Sequence, residues 1–193
     1  MNKTTIIAIL FLVTMAIFPF LVDSAWLSIG ITFLVFAVVA FSQDIILGRA
    51  GIFNMGHAIF FGIGAYTTAI LNVQFGFEII ETIPFAIILP VIISILLAGP
   101  IIHLRGDYLL VATIGFNIIF EQVLKNNVFD LTGGLNGIFG IDVVRVFRYE
   151  LYSDTAIYYI AFGLLIITLF IIRNLDNSKY GRALYYINKN EIA

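Results

Sequence analysis

The chain has 193 residues, of which 61% are hydrophobic and 11% charged, with a formal net charge of −2 and a mean hydropathy of +1.06. Soluble domains are about 45–50% apolar and about 25% charged, so this hydrophobic surplus excludes an ordinary soluble domain and predicts a membrane protein. The sequence has no cysteine, which excludes disulfides and thiolate metal sites, and no basic stripe with interleaved aromatic residues of the kind that binds nucleic acid.

Apolar segments recur along the whole chain, and a transmembrane helix needs about 20 such residues. The first segment, Thr5 to Val22, follows Lys3 and contains Pro19. A signal peptide has the same basic start and apolar run, but the length and the lack of a small-x-small cleavage site favour a retained helix. The sequence therefore predicts an all-α polytopic protein with about six spans, at residues 5–22, 27–42, 53–71, 84–102, 108–124 and 155–172.

Short polar connections separate the predicted spans. Asp23 to Trp26 is predicted to be a turn, with Trp26 at the membrane interface. Gly48 to Gly51 is predicted to be a second turn, and Asn72 to Thr82 a short acidic loop. Pro84 is expected in the first turn of the fourth span, where its missing N–H costs little.

Basic residues set the orientation, because cytoplasmic loops carry an excess of Lys and Arg. With the N-terminus inside, both termini are cytoplasmic, residues 1–172 form a transmembrane domain, and residues 173–193 form a cytoplasmic segment. Lys125 to Asp154 is then an external loop. The inside residues are Lys3, Arg49, Arg105, Arg173, Lys179, Arg182 and Lys189, and the outside ones are Lys125, Arg145 and Arg148.

The third span differs from its neighbours in being rich in small residues. These recur four positions apart, so each pair shares a helix face and lets another backbone approach closely. We expect other helices, rather than lipid, to surround this span. The pairs are Ala58 and Gly62, Gly64 and Thr68, and Ala65 and Ala69.

The turn before the third span indicates a broken helix. Gly48 and Gly51 would permit non-helical backbone at membrane depth, which is tolerated only where protein or a cavity supplies partners. Transporters bind substrates at such breaks, where helix N–H groups meet carboxylates. His57 either lines this path or is a helix-start residue that a neighbour satisfies. The candidate substrate-pathway residues are Gly51, Asn54, Gly56, His57, Gly62 and Tyr66.

Two charged stretches each have two interpretations. Arg105 to Asp107 is either a tight turn in which Asp107 caps the fifth helix, or part of an ion pair with another loop or a partner protein. Glu121 has Lys125 four residues on, which favours a structural ion pair. An acidic residue within a span is otherwise a candidate functional group.

The tail predicts a short amphipathic helix. Asp176 to Ser178 are candidate N-caps, and Tyr180, Leu184 and Ile187 then recur at helical spacing on a polar background. Such a helix lies on lipid or fits a groove on a partner. The sequence has no P-loop, Gly-x-Ser-x-Gly motif or paired metal ligands, so we expect a non-enzymatic chain with no cofactor and no metal.

Four stretches resemble, in order, motifs of the branched-chain amino acid ABC-importer permeases, in particular the M-like type. The fifth span departs from the family pattern G-F-x-E-I-I-R, because residues 115–121 read GFNIIFE and Glu121 stands where the Arg would be. The matching stretches are GRAGIFNMGHAIFFGIGAYTTAIL from residue 48, LRGDYLLVATIGF from 104, LTGGLNGIFGI from 131 and SKYGRALYYINKNEIA from 178.

The resemblance implies a multi-pass permease subunit in the inner or plasma membrane that moves leucine, isoleucine or valine by alternating access. It implies as partners ABC ATPase subunits that bind ATP, a second permease subunit and an extracytoplasmic solute-binding protein. Alternatives are a permease for urea, amides or another small solute, and a channel or scaffold without ATPase coupling. The implied ATPase-coupling residues are Tyr180, Gly181, Arg182, Ala183, Leu184, Ile187 and Glu191, and the implied docking residues for the binding protein are Thr132, Gly133, Gly134, Asn136 and Gly137.

Family members continue beyond this last segment. The chain is therefore interpreted as ending inside the coupling segment, at Ala193.

Overall fold

A computed structural model describes residues 3–101, 103–104, 106–146 and 149–189, and side chains within residues 10–186 except those of 102, 105 and 146–149. Two two-residue strands, β1 (Arg145–Val146) and β2 (Tyr149–Glu150), pair antiparallel in one loop. All the longer elements among these residues are helices, so the all-α prediction is confirmed. The helices are α1 (Lys3–Ile17), α2 (Ser24–Asp44), α3 (His57–Phe75), α4 (Ile79–Ile101), α5 (Asp107–Lys125), α6 (Asp154–Asn177) and α7 (Lys179–Lys189).

Within the described part of the chain, five helices are long and apolar enough to cross a membrane. These correspond to the second to sixth predicted spans and confirm a polytopic membrane protein. The first predicted span falls on α1, whose apolar stretch with described side chains is the shorter Leu10–Phe20, so that span stays a prediction. The five candidate spans are Ser24–Arg49, His57–Phe75, Ile79–Ile101, Asp107–Lys125 and Asp154–Asn177.

The chain divides into two compact units. The first unit consists of residues Met1–Ala50 and Leu151–Ala193, and the second of Gly51–Glu150. In the first unit α2 packs along α6, and the buried core between them centres on Leu34, Tyr158 and Leu165. The ring of Tyr158 stacks on Phe18, with 5.9 Å between the ring centroids.

The end of α1 is satisfied by two tyrosines of α6. Pro19 has no N–H to donate to the carbonyl of Met15 four residues earlier. The hydroxyl of Tyr158 donates to that carbonyl at 2.8 Å, and the hydroxyl of Tyr159 donates to the Ala16 carbonyl at 3.0 Å. The two side chains therefore replace backbone hydrogen bonds that α1 loses where it stops.

The second span is longer than predicted. α2 begins at Ser24, so Trp26 lies in its first turn rather than in the preceding loop. At its other end a π-helical turn, Ile45–Arg49, continues the helix and closes with the Ala50 N–H donating to the Ile45 carbonyl at 3.2 Å. The predicted turn at Gly48 to Gly51 is therefore wrong for its first two residues.

The second unit is built around α3, as its small residues predicted. In an apolar 18-residue stretch of α3, 28% is buried, whereas the corresponding stretches of α4 and α5 are each 6% buried. A Cβ on Gly64 would lie 3.3 Å from the Ala86 carbonyl of α4, and one on Gly62 would lie 2.7 Å from the Phe120 ring of α5. The glycines let these neighbours approach, which confirms that α3 packs against other helices.

The fourth span begins earlier than predicted, at Ile79. The carboxylate of Glu81 accepts the N–H of Glu78 at 3.1 Å, and the Thr82 N–H donates to the Glu78 carbonyl at 3.2 Å. A Glu side chain that bonds the backbone N–H three residues earlier is a helix-start signal. Because α3 ends at Phe75 and α4 begins at Ile79, the acidic loop predicted at residues 72–82 is shortened to residues 76–78. Pro84 consequently lies inside α4 and not in its first turn.

A Tyr158→Phe substitution tests the link between α6 and α1. It leaves the Met15 carbonyl without its donor beside a fully buried ring, so we expect the free energy of unfolding to fall by about 1–3 kcal/mol. Thermal denaturation in detergent measures this as a lower midpoint. Tyr108→Phe is the matched control, because the Tyr108 side chain is 78% exposed and lies in α5, away from the end of α1. Equal losses in the two variants would contradict the assignment.

Candidate functional site

The helix break before α3 spans residues 51–56, which have no regular secondary structure. Gly51 has a φ of +68°, a left-handed conformation that glycine adopts without strain. The side-chain oxygen of Asn54 accepts the Gly56 N–H at 2.7 Å, and the Met55 N–H donates to the hydroxyl of buried Thr113 at 3.1 Å. Side chains of the second unit thus supply the partners that a membrane would not, and the expected non-helical backbone is confirmed at Gly51.

The third span consequently starts at His57 and not at residue 53. Gly62 and Tyr66 are four residues apart and share one face of α3, whereas His57 lies nine residues before Tyr66, on the opposite face. Asn54 and Gly56 precede the helix. The six candidate pathway residues therefore form two groups, one at the start of α3 and one on a single face, and their contact with substrate stays a prediction.

The other end of α3 carries a buried asparagine that the sequence reading missed. Asn72 is 3% exposed. Its side-chain oxygen accepts the Asp142 N–H at 2.8 Å, and its side-chain nitrogen donates to the Phe77 carbonyl at 2.8 Å. Gln74 also donates to the carbonyls of Asp130 and Leu131, each at 3.3 Å. The loop after α5 is thereby fastened to α3.

The same loop is fastened to α5 through Thr132. The Thr132 side chain is buried, and its hydroxyl donates to the Leu124 carbonyl at 2.7 Å. The side-chain oxygen of Asn127 accepts the N–H groups of Thr132 and Gly133 at 3.0 and 2.8 Å. Of the five candidate docking residues, Thr132 faces inward, Gly134 and Gly137 are half-buried, and Gly133 and Asn136 are exposed.

Three bulky apolar side chains stand out from this loop. Phe129 is 87% exposed, Leu135 83% and Phe139 75%. Phe129 also has a φ of +61°, which is unusual for a large side chain. Leu135 and Phe139 stand between glycines in a polar segment, a pattern that indicates a contact surface but was missed, whereas Phe129 lies before the glycines and carries no such signal.

The two charged stretches have different outcomes. The Lys125 ammonium lies 2.5 Å from the Glu121 carboxylate and both side chains are largely exposed, so the predicted ion pair is confirmed. Asp107 is already the first residue of α5, Gly106 precedes it in the cap position, and no side chain caps the helix there. The predicted Asp107 cap is therefore wrong, and Arg105 lies outside the described residues.

The tail forms the predicted helix, α7. The Ser178 side-chain oxygen accepts the Gly181 N–H at 3.1 Å, which confirms Ser178 as its N-cap. The other two cap candidates, Asp176 and Asn177, instead belong to the last turn of α6, which runs past its predicted end at residue 172.

The candidate coupling residues lie on different sides of α7. Tyr180 is 78% exposed, Arg182 and Ala183 are also exposed, and Gly181 and Leu184 are half-buried. The side chain of Ile187 and all of Glu191 lie outside the described residues. α7 packs against α6 and the π-helical turn, so its exposed side is the one available to a partner.

Three charged residues join the ends of α2 and α6, and we call them the Arg49 cluster: Arg49, Asp44 and Asp176. The Arg49 guanidinium donates to both carboxylate oxygens of Asp176, at 2.6 and 3.0 Å, and to Asp44 at 2.9 Å. The C-terminal ends of α2 and α6 therefore meet, so the two helices run parallel. This agrees with the prediction that Arg49 and the tail lie on one side of the membrane.

These features define a polytopic helical membrane protein with an anchored loop and a terminal amphipathic helix. Residues 25–193 match the family described as "branched-chain amino acid transport system / permease component", and the chain belongs to this family. The resemblance inferred from the motifs is thus confirmed, and it places the chain among transport subunits.

Two relatives share its sequence along nearly its whole length. The chain is 29% identical over 214 residues to the high-affinity branched-chain amino acid transport system permease protein LivM of Escherichia coli (strain K12), covering 99% of this chain and 50% of that protein. It is 30% identical over 205 residues to LivM of Salmonella typhimurium (strain LT2), covering 94% and 48%. The chain spans about half the length of these curated relatives. No solved structure matches it significantly.

An Asn72→Ala substitution tests the anchoring of the loop after α5. It leaves the Asp142 N–H and the Phe77 carbonyl without partners, a loss of about 1–3 kcal/mol of local stability. We expect hydrogen exchange in residues 127–142 to accelerate about tenfold, as measured by mass spectrometry. Asn126→Ala is the control, since its side chain makes an exposed bond to Gln122 within one helix turn. Unchanged exchange in the Asn72 variant would show that the loop is held elsewhere.

Proposed function

We propose that this chain is a permease subunit of an ABC importer that carries branched-chain amino acids across the inner or plasma membrane. The observation that carries the proposal is the family match over residues 25–193, together with the relatives' printed role. In this proposal ATP binds to separate ATPase subunits, a second permease subunit completes the pathway, and a solute-binding protein delivers the substrate from outside. Transport proceeds by alternating access.

The tail helix supports the coupling part of this proposal. α7 presents Tyr180 and Arg182 to solvent, while Leu184 turns toward the rest of the unit. Tyr180 and Arg182 are two positions apart, so they point in nearly opposite directions on the helix. The exposed ring and the exposed cation would therefore meet separate parts of a partner surface, one apolar and one carrying a carboxylate. The ATPase is the partner for which an importer needs such a contact, because nucleotide-driven movement must reach the spans.

The external loop supports the proposed delivery of substrate by a solute-binding protein. Its exposed side chains, Leu135 and Phe139, stand on backbone that Asn72 and Thr132 hold in place. A preorganised surface loses little conformational entropy when a partner binds. The binding protein would dock here through these apolar groups and the exposed Gly133 and Asn136.

The substrate would pass along α3. Its start combines the non-helical Gly51 segment with Asn54 and His57, and its length carries the face of Gly62 and Tyr66. A path of this kind suits an amino acid, whose charged ends need polar partners while its side chain needs apolar surface. The binding protein can then provide most of the selectivity.

Reconstitution tests the proposed function directly. The gene is expressed with its genomic neighbours, and the complex that purifies in detergent is placed in liposomes with leucine-loaded or urea-loaded binding protein. We expect an ATPase to co-purify and leucine to stimulate its hydrolysis several-fold, because substrate delivery and hydrolysis are coupled. Stimulation by urea alone would replace the substrate with an amide. Recovery of the chain without any ATPase would favour a channel or scaffold.

A double substitution on α7 tests the coupling contact. Tyr180→Ser with Arg182→Glu removes the exposed ring and reverses the charge, so we expect about tenfold less ATPase to co-purify, the equivalent of about 1.4 kcal/mol. Tyr152→Ser is the control, because Tyr152 is 69% exposed and lies just before α6, on the predicted external side. Undiminished recovery of the ATPase with the α7 variant would exclude this contact.

A further inference from the structure

The junction of α2, α6 and α7 brings three charged residues together within the first unit. Arg49 sits at its centre with 24% of its side chain exposed, and it binds two carboxylates from different helices. The two bonds to Asp176 are a bidentate pair, which fixes the direction of the guanidinium as well as its distance. A single ion pair on a flexible side chain would give less orientation.

The π-helical turn explains why Arg49 reaches Asp44. A π turn pairs groups five residues apart, as the bond from Ala50 to Ile45 shows, and Arg49 follows Asp44 by the same five positions. Gly48 is part of this arrangement, because a Cβ there would collide with the carboxylate of Asp44. A larger residue at position 48 would push that carboxylate away from Arg49.

A second glycine brings α7 against the end of α6. A Cβ on Gly181 would collide with the Leu175 carbonyl and would lie 3.0 Å from the Asp176 Cα. The first turn of α7 therefore touches the residue that holds Arg49. The Ser178 side chain bonds the Gly181 N–H and the Leu175 carbonyl, so both sides of this sharp bend are hydrogen-bonded.

The electrostatics of the junction depend on Arg49. The C-terminus of a helix carries partial negative charge, so Asp44 and Asp176 near the ends of α2 and α6 are unfavourably placed. The Arg49 guanidinium offsets both carboxylates and the carbonyl ends of the two helices. Without it, like charges would push the ends of α2 and α6 apart.

A cavity of about 400 Å³ lies beside the cluster, between Arg49 and Asp176 on one side and Arg182, Tyr185 and Tyr186 of α7 on the other. α7 is therefore held along its first turn and stands away from the cluster farther along. The ionic contact joins the ends of α2 and α6, and α7 is attached to the end of α6 through Gly181 and the Ser178 hydrogen bonds.

We propose that Arg49 is a positioning residue, which with Asp44 and Asp176 fixes the angle of α7 to the ends of α2 and α6. A force on α7 is then passed to two candidate spans at once, and does not simply bend the junction. The consequence for transport rests on the proposed function, whereas the positioning of α7 does not.

Spin labels test the positioning without any transport assay. The chain has no cysteine, so labels can be placed at Phe41→Cys on α2 and Ala183→Cys on α7, both exposed. We expect a narrow distance distribution in the parent and a broad one after Asp176→Asn. Asp154→Asn is the matched control, an exposed aspartate at the other end of α6, and should leave the distribution narrow. A narrow distribution with Asp176→Asn would overturn the proposal.

A functional measurement follows in the reconstituted complex. We expect the Asp176→Asn complex to keep its ATPase subunits bound. Its stimulation by loaded binding protein should fall by about fivefold or more, since fivefold is the smallest effect typical of coupling between two sites. Arg49→Lys keeps the charge but not the bidentate geometry, so it should lose less than Arg49→Gln. Full stimulation in Asp176→Asn would overturn the role in coupling. If the unmodified complex shows no stimulation, the proposed function fails, and the spin-label distances still decide the position of α7.

Discussion

Backbone groups that leave a helix inside a membrane must find partners within the protein, because hydrocarbon offers none. This chain meets the requirement with side chains at each irregular point described here. Tyr158 binds the carbonyl that Pro19 leaves open, Asn54 and Thr113 bind N–H groups in the break before α3, and Thr132 binds the last turn of α5. Many polar side chains in this otherwise apolar sequence therefore bond backbone groups, both at these irregular points and within the helices, as Thr67 does with the Ile63 carbonyl.

The charged residues follow a different logic, since they gather where the spans end. Arg49 lies at the end of α2 and joins it to α6, and the pair of Glu121 and Lys125 lies at the end of α5. The local pair is exposed and adds only about 0.2–0.5 kcal/mol. The Arg49 cluster differs because its members come from separate helices and because glycines leave room for the contact. It therefore affects the relative position of the helix ends more than the net stability.

The sequence predicts this fold well where the signal is local. Apolar runs locate five of the spans, the four-residue spacing of small residues identifies α3 as a packed helix, and the spacing of Glu121 and Lys125 predicts their contact. The predicted helix boundaries were wrong where a side chain, rather than composition, decides them. Glu81 caps the start of α4, although its sequence segment resembled an acidic loop. The contact between Arg49 and Asp176 joins residues 127 positions apart. No local sequence pattern indicates such a contact, so only the structure reveals it.

Within each unit, a surface proposed to meet a partner is attached firmly to candidate spans. In the first unit the Arg49 cluster joins the ends of α2 and α6, and Gly181 packs α7 against the end of α6. In the second unit Asn72 and Thr132 hold the loop after α5 to α3 and α5. In the proposed permease, which is driven from one side and loaded from the other, such attachment matters at both places, because the displacement of a partner moves the spans only through rigid contacts.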